Sequence, residues 1–84
     1  MNPSELKKLV AAIKKKFPGE VRVEKVNSKG RVRLEIASQK FTKMSQLKRQ
    51  DAVWELVDQV LSRESILDVS LILTHSPAEL AGAR

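Results

Sequence analysis

Apolar residues recur along this chain with two spacings, and the change between them separates helices from strands. The first spacing is helical, since apolar residues three and four positions apart form one stripe: Leu6, Leu9, Val10, Ile13 and Phe17. Asn2 is expected to cap this helix, with Pro3 at its first position and Glu5 reaching back to the cap. Pro18 and Gly19 then end the helix.

Strict alternation of apolar and polar residues follows, and it predicts a β-hairpin with one buried face. Residues 20–26 and 31–37 alternate, and the polar residues 27–30 between them are typical of a turn. The inward positions are expected to hold the valines, leucine and isoleucine of the two strands: Val21, Val23, Val32, Leu34 and Ile36.

The strongest helical pattern lies in residues 41–61, which contain the chain's one tryptophan. Ser45 is a favourable N-cap, and apolar residues recur after it at roughly helical spacing: Leu47, Val53, Trp54, Val57, Val60 and Leu61. A helix of about 16 residues is about 24 Å long, enough to cross a small sheet. Trp54 is therefore expected to belong to the core.

Beyond a polar break at residues 62–65, the β-branched and aliphatic residues 66–74 predict a third strand. Ser76, Pro77 and Glu79 repeat the cap pattern of the first helix, so a short helix should begin there and fray toward Arg84. The order α-β-β-α-β-α predicts a single α+β domain over residues 1–84. Its two layers would be a three-stranded sheet and helices packed on one face.

Composition and charge narrow the function. The 84-residue chain has no cysteine, which excludes disulfides, thiolate metal sites and cysteine nucleophiles. No apolar run approaches the roughly 18 residues that span a bilayer, so a cytoplasmic protein without a membrane partner is expected. The net charge is +6, and residues 1–50 carry 14 Lys and Arg against 4 Asp and Glu. This uneven distribution of charge is compatible with contact with a polyanion, and equally with an ordinary solvated basic face.

The candidate contacts for a polyanion lie around the start of the long helix. Lys40 and Lys43 precede it, while Lys48 and Arg49 occupy its first turn, where positive charge opposes the helix dipole. Arg31 and Arg33 on the outward hairpin face are expected to extend this patch. The alternative for the two arginines is a solvated face with cross-strand ion pairs to acidic neighbours. Lysines in the last turn of the first helix have a partly structural cause, since the dipole favours them there.

No catalytic constellation is visible, so the chain is expected not to be an enzyme and to need no cofactor. His75 is the one histidine, which excludes a paired-histidine metal motif, and no pattern typical of a catalytic triad surrounds it. A surface histidine or one that supports the neighbouring helix cap is the favoured interpretation of His75. A metal ligand is the weaker one, since a single histidine does not complete a coordination shell.

The long helix also carries a family likeness. The pattern Phe41-x-x-Met44-Ser45-x-x-Lys48-x-Gln50-x-x-Val53-Trp54 resembles the central motif of the BolA-like family, most closely its short acid-stress members. Val69-Ser70-Leu71 and Pro77-Ala78-Glu79 resemble the last strand of that family and the start of its last helix. The resemblance implies a fold like the type II KH domain. It also implies a non-enzymatic protein linked to the stress response, transcription regulation and iron–sulfur handling with monothiol glutaredoxins.

Three positions depart from the family pattern. Lys43 stands where a glycine is usual, and Arg31 stands where the second strand usually has a histidine. The histidine thought to bind the cluster falls at Leu67 or Asp68, and neither side chain is an imidazole. The main hypothesis is therefore a nucleic-acid-binding module that uses Lys40, Lys43, Lys48 and Arg49, extended by Arg31 and Arg33. The alternative is a protein adaptor for a monothiol glutaredoxin.

Overall fold

In the computed structural model, residues 1–27 and 29–82 are described, and they form four helices and three strands around one core. The helices are α1 (Pro3–Lys16), α2 (Gln46–Val60), α3 (Arg63–Ile66) and α4 (Pro77–Gly82), and the strands are β1 (Gly19–Lys25), β2 (Val32–Ser38) and β3 (Val69–His75). A 3₁₀ turn over Gln39–Phe41 follows β2. The predicted α+β order is confirmed, with this turn and α3 added. Ser28 of the predicted turn and Arg84 of the predicted fraying end lie outside the described residues.

The sheet has the order β1-β2-β3, so β2 is central and the other two strands are edges. β1 and β2 form the predicted antiparallel hairpin, and β3 lies parallel to β2. A parallel neighbour needs a crossover connection, and α2 supplies it. At the start of β1, Gly19 has a φ of 152° and comes so close to the Ala37 carbonyl that a Cβ atom would lie 2.0 Å from that oxygen.

The core lies between one face of the sheet and the layer formed by α1 and α2. Its buried side chains come from β2 and β3, from both long helices and from the connections between elements: Leu9, Ile13, Phe17, Val32, Leu34, Ile36, Phe41, Val53, Leu56, Val57, Leu61, Val69 and Ile72. On β1 the predicted burial is incomplete, since Val21 is partly buried and Val23 is 37 % exposed. The two-layer arrangement follows from the sequence because a strand with period-2 patterning and a helix with one apolar stripe each have a single face to bury.

Each predicted helix cap is confirmed by a hydrogen bond. The Asn2 side chain accepts from the Glu5 amide at 2.8 Å, and the Ser45 hydroxyl accepts from the Lys48 amide at 3.2 Å. At α4, Ser76 accepts from the Glu79 amide at 3.2 Å while the Glu79 carboxylate accepts from the Ser76 amide at 2.8 Å. These bonds satisfy backbone donors that a helix start otherwise leaves without partners.

Two local features differ from the prediction. The polar break at residues 62–65 is the start of α3, because the Ser62 hydroxyl caps that turn by accepting from the Ser65 amide at 3.3 Å. The third strand therefore begins at Val69 rather than at residue 66. In α2, Leu47 is 72 % exposed, so it does not belong to the core. Trp54 is half-buried against the core, and its indole N–H donates to the Gln50 side chain at 3.1 Å.

The last helix lies at the end of the sheet where β3 finishes. Its Leu80 borders a shallow depression beside Glu20 and Ala37, which belong to the outward face of the hairpin. Its Glu79 instead contacts α2 through Arg49, so α4 ties the helix layer to that end of the sheet. Within the described part of the chain, none of the helices combines the length and apolar character that crossing a membrane requires.

Candidate nucleic-acid interface

The last turn of α1 and the connection after β2 meet at one end of the molecule. The buried Ser38 hydroxyl donates to the Pro18 carbonyl at 2.8 Å and accepts from the Lys40 amide at 3.2 Å. The buried rings of Phe17 and Phe41 lie beside each other with centroids 4.8 Å apart. These contacts hold the basic end of α1 next to the 3₁₀ turn.

Five exposed lysines converge on this end from three segments of the chain. The last turn of α1 supplies two, the 3₁₀ turn and the loop after it supply two, and the first turn of α2 supplies one: Lys15, Lys16, Lys40, Lys43 and Lys48. We call this group the lysine end. In the part of the chain that the structure describes, no ion pair involves any of the five. Their charge is therefore free to meet an external anion.

The α1 lysines add to a surface that the sequence suggested from the later segments alone. The sequence predicts Lys40, Lys43 and Lys48 as candidate contacts, and all three are exposed in the structure. For Lys15 and Lys16 the sequence indicates only a partly structural cause, the helix dipole, because nothing in their spacing shows what lies beside the end of α1. The order of the elements does indicate this proximity. A helix that leads directly into the first strand of a hairpin ends beside the last residues of the second strand, because the start of the first strand pairs with the end of the second.

Arg49 does not belong to this surface. It is only 3 % exposed, and its guanidinium donates two hydrogen bonds to the Glu79 carboxylate, at 2.6 and 3.1 Å. Its Nε donates to the Met44 carbonyl at 3.0 Å, and the guanidinium carbon lies 5.7 Å from the centre of the Phe41 ring. The prediction that Arg49 contacts phosphate is corrected accordingly, since its donors are used inside the protein.

The helical spacing explains why Arg49 is buried. It lies four residues before Val53 and eight before Val57, and both valines are fully buried on the inward side of α2. Residues separated by four positions share a face of a helix, so Arg49 must point inward with them. This spacing is visible in the sequence, whereas its carboxylate partner is 30 residues further along the chain.

Arg31 and Arg33 lie at the opposite end of the molecule from the lysine end. They stand at the start of β2, whereas Lys40 follows its end, and a seven-residue strand is about 20 Å long. Arg33 is also ion-paired across the hairpin with Glu24. The predicted extension of the basic patch by these two arginines is therefore corrected, and for Arg33 the alternative of a cross-strand pair describes the structure.

The negative charge of Glu79 is neutralised by Arg49, so it does not reduce the positive charge of the lysine end. Hydrogen bonds from the Arg49 guanidinium, and then from the Ser76 amide, lower the pKa of Glu79 from its ordinary value of 4.5 to about 2. A carboxylate with such a pKa remains ionised at neutral pH and stays paired with Arg49. The pair thus adds no net charge next to the lysine end.

His75 is the last residue of β3 and lies opposite Ala37 of β2. It is half-buried, and its Nε2 atom lies 3.4 Å from a carboxylate oxygen of Glu35 on the neighbouring strand. Among residues 1–27 and 29–82, no three histidine, cysteine, aspartate or glutamate side chains are grouped so that they would hold a metal ion. His75 thus has a carboxylate neighbour but no described set of further ligands.

Comparison with known proteins places the fold. No family model and no curated protein matches the chain. Solved structures do: BolA1 from Arabidopsis thaliana is 20 % identical with a TM-score of 0.70, and the alignment covers 89 % of this chain and 94 % of that one. The BolA domain of SufE1 from the same plant is 22 % identical with a TM-score of 0.68, covering 94 % of this chain and 98 % of that domain. The chain therefore has the BolA-like fold, as the motif from Phe41 to Trp54 implied.

The residues of this chain do not fit the iron–sulfur cluster that the resemblance to the BolA-like family implies. The expected ligand position falls at Leu67 or Asp68, which follow α3 directly. Leu67 is 73 % exposed and has no donor atom in its side chain, and the sequence has no cysteine to replace a histidine. A cluster held in the family manner therefore lacks its ligand from this chain.

Proposed function

We propose that this BolA-like protein binds nucleic acid through the lysine end, as a non-enzymatic module of the kind used in transcription regulation. One observation carries the proposal. Five lysines from three separate segments are exposed together, and no described acidic side chain pairs with any of them. Lysine clusters of this kind bind phosphate backbones through charge, largely without regard to sequence.

The start of α2 supports the same function. Its first backbone N–H groups have no acceptor within the helix, and the positive end of the helix dipole lies there. Lys48 in this turn opposes the dipole, a cost of a few tenths of a kcal/mol that a bound phosphate would remove. Arg49 is ion-paired with Glu79. Lys48 is therefore the charge in this turn that is available to an external anion.

The test is a binding titration of a fluorescent DNA duplex at several salt concentrations. We expect affinity to fall steeply with salt, with a logarithmic slope of about −0.9 for each phosphate contacted. The double variant Lys40→Glu/Lys43→Glu should lose most of the binding. Lys25→Glu/Lys29→Glu, at the hairpin end, makes the same change in net charge and is the matched control.

Two results would refute the proposal. Binding that is weak and does not change with salt would show that phosphates are not the ligand. Equal losses in the two double variants would show that net charge alone, and not the lysine end, attracts the duplex. A parallel titration with single-stranded and duplex RNA of the same length then identifies the preferred nucleic acid.

A protein adaptor is the second candidate, and one comparison favours it. The BolA domain of SufE1 is a BolA-fold unit within a larger protein, which suggests a role for this fold in recruiting other domains. Here the partner would be a monothiol glutaredoxin docked on the same end, without a cluster ligand from position 67 or 68. NMR titration with a glutaredoxin, with and without its cluster, tests this. Absence of any shift in both titrations would eliminate the adaptor in its family form.

A further inference from the structure

An apolar groove lies between α1 and the β1 edge of the sheet, and the protein's own core leaves it open. Leu9 and Ile13 are fully buried, but the neighbouring apolar positions on the same helix are only partly covered. A groove of about 480 Å³ runs between them and β1, and its walls are mainly apolar: Leu6, Lys7, Val10, Ala11, Lys14 and Val23. The helix is thus apolar over a wider arc than three strands can cover.

The strand beside this groove has an open backbone edge. β1 is the first strand of the sheet, and among residues 1–27 and 29–82 it is hydrogen-bonded on one side only, to β2. The Val26 amide donates to the Arg31 carbonyl at 2.9 Å, and bonded and non-bonded pairs alternate from there along an antiparallel ladder. By that alternation Val21, Val23 and Lys25 direct their N–H and C=O groups away from β2, toward the open edge.

One of the residues that offer backbone groups at this edge, Val23, also lines the groove. Successive side chains of a strand alternate between faces, so those of Val21 and Val23 point toward α1. Val23 lines the groove and is 37 % exposed. A strand added at this edge would therefore pair with their backbone and place its own inward side chains over α1.

We propose that this edge and groove bind an extended acidic segment of a partner protein by β-strand addition. The segment would have apolar residues at alternate inward positions, which fill the groove, and carboxylates at flanking inward positions. Lys7 and Lys14 border the groove seven residues apart on α1, which is about 10.5 Å along the helix axis. Inward positions of a strand four residues apart are separated by about 13 Å, which flexible lysines can bridge.

Charge decides between this occupant and a second copy of the chain. Two copies joined at β1 would bring the lysines of both α1 helices toward one another, and no described carboxylate pairs with Lys7 or Lys14. Like charges brought together at an interface disfavour it. An acidic segment instead satisfies both lysines while it covers the apolar wall.

The experiment uses the full ¹⁵N-labelled chain and two nine-residue peptides. The probe has Glu-Thr-Val-Thr-Glu at its centre, and the control peptide has Lys-Thr-Val-Thr-Lys. We expect the probe to shift the amide signals of α1 and β1 and to protect the amides of Val21, Val23 and Lys25 from hydrogen exchange. The variant Lys7→Glu/Lys14→Glu should weaken the probe about tenfold. Lys8→Glu/Lys29→Glu carries the same charge change at two exposed lysines that belong neither to the groove nor to the lysine end, and it should change the affinity less than about twofold.

Each contrary result refutes the proposal in a recognisable way. Equal binding of both peptides, or no binding of the probe, removes the acidic partner. Shifts without protection of the β1 amides exclude strand addition. A dimer in sedimentation experiments that protects these amides assigns the edge to a second copy. DNA binding is measured through Lys40 and Lys43 at another surface, so failure of either proposal leaves the other standing.

Discussion

The guanidinium of Arg49 and the carboxylate of Glu79 form a two-point ion pair, with N–O distances of 2.6 and 3.1 Å, that joins α2 to the last helix. Arg49 is buried, whereas Glu79 is partly exposed and is also bonded to the Ser76 backbone. The pair therefore anchors a helix of only six residues that would otherwise be too short to hold its place.

The first prediction is that this pair makes stability depend on acid pH. The pKa of Glu79 is about 2 in the folded chain and 4.5 ordinarily. A lowered folded pKa stabilises the protein above the unfolded pKa, and this stabilisation is lost as pH falls from about 4.5 toward 2. Melting temperatures should thus fall over that window, and Glu79→Gln should reduce the fall. Glu55→Gln, at an exposed position of α2, is the control and should leave the wild-type profile intact.

The second prediction separates Lys48 from Arg49, which are adjacent in sequence. Lys48→Ala should make the salt slope of DNA binding shallower by about 0.9 and leave the melting temperature nearly unchanged, since one phosphate contact is lost. Arg49→Ala should instead cost about 2 kcal/mol of folding free energy, because several charged hydrogen bonds disappear. Measured on the folded Arg49→Ala protein, the salt slope of DNA binding should match that of the wild type. The reverse assignment of the two effects would contradict the buried position of Arg49.

A third prediction concerns Gly19. A methyl group there would meet the Ala37 carbonyl, and the φ of 152° is itself unfavourable for a residue with a side chain. Gly19→Ala should cost about 3 kcal/mol or more in urea denaturation, through strain and separation of the hairpin strands. Gly82→Ala is the matched control, because a Cβ atom at that position meets nothing within 4 Å. Similar losses in the two variants would show that the close approach at Gly19 is unimportant.

A fourth prediction concerns the two hydrogen bonds that the Gln50 side chain makes. Its side chain donates to the Ile72 carbonyl at 2.9 Å and accepts from the Trp54 indole at 3.1 Å, which connects α2 to β3. Gln50→Leu should cost about 1–2 kcal/mol, because the indole donor and the strand carbonyl both lose a partner. Trp54→Phe combined with Gln50→Leu should cost less than the sum of the two single changes. Strict additivity in urea denaturation would mean that the two side chains act independently.

The fifth prediction tests the aromatic contact beneath the lysine end. Phe41 is fully buried, with Phe17 on one side and the Arg49 guanidinium 5.7 Å from its ring centre. Phe41→Ala should destabilise the chain by about 3–5 kcal/mol. At temperatures where the variant remains folded, it should also weaken DNA binding, because the turn that carries Lys40 loses its anchor. Unchanged binding would show that the lysines need no fixed arrangement.

The elements themselves follow largely from the sequence. Alternation in residues 31–37 and the Ser45 cap reflect interactions within a few residues of each other, so they can be predicted without knowledge of the fold. The errors occurred where local patterns were short or competing. The serines of residues 62–65 looked like a break because a single helical turn has too few residues to show a period.

The candidate site was predicted in part, for the same physical reason. Lys40, Lys43 and Lys48 are close in sequence, so the sequence alone groups them, and the structure shows that all three are exposed; their contact with a polyanion stays a prediction. Lys15 and Lys16 join them only because Phe17 packs on Phe41. Arg31 and Arg33 do not belong to this group, because they lie at the start of β2 and the length of that strand separates them from Lys40.

By itself, the sequence determined the order of helices and strands, their caps, the inward faces and the excess of positive charge. These depend on local periodicity, on hydrogen bonds between near neighbours and on composition. Only the tertiary structure decided that Arg49 is an internal ion-pair partner, that the end of α1 and the segment leading into α2 share one basic surface, and that β1 has an open edge beside a groove. Those features arise from contacts between distant segments, and such contacts leave no period in the sequence.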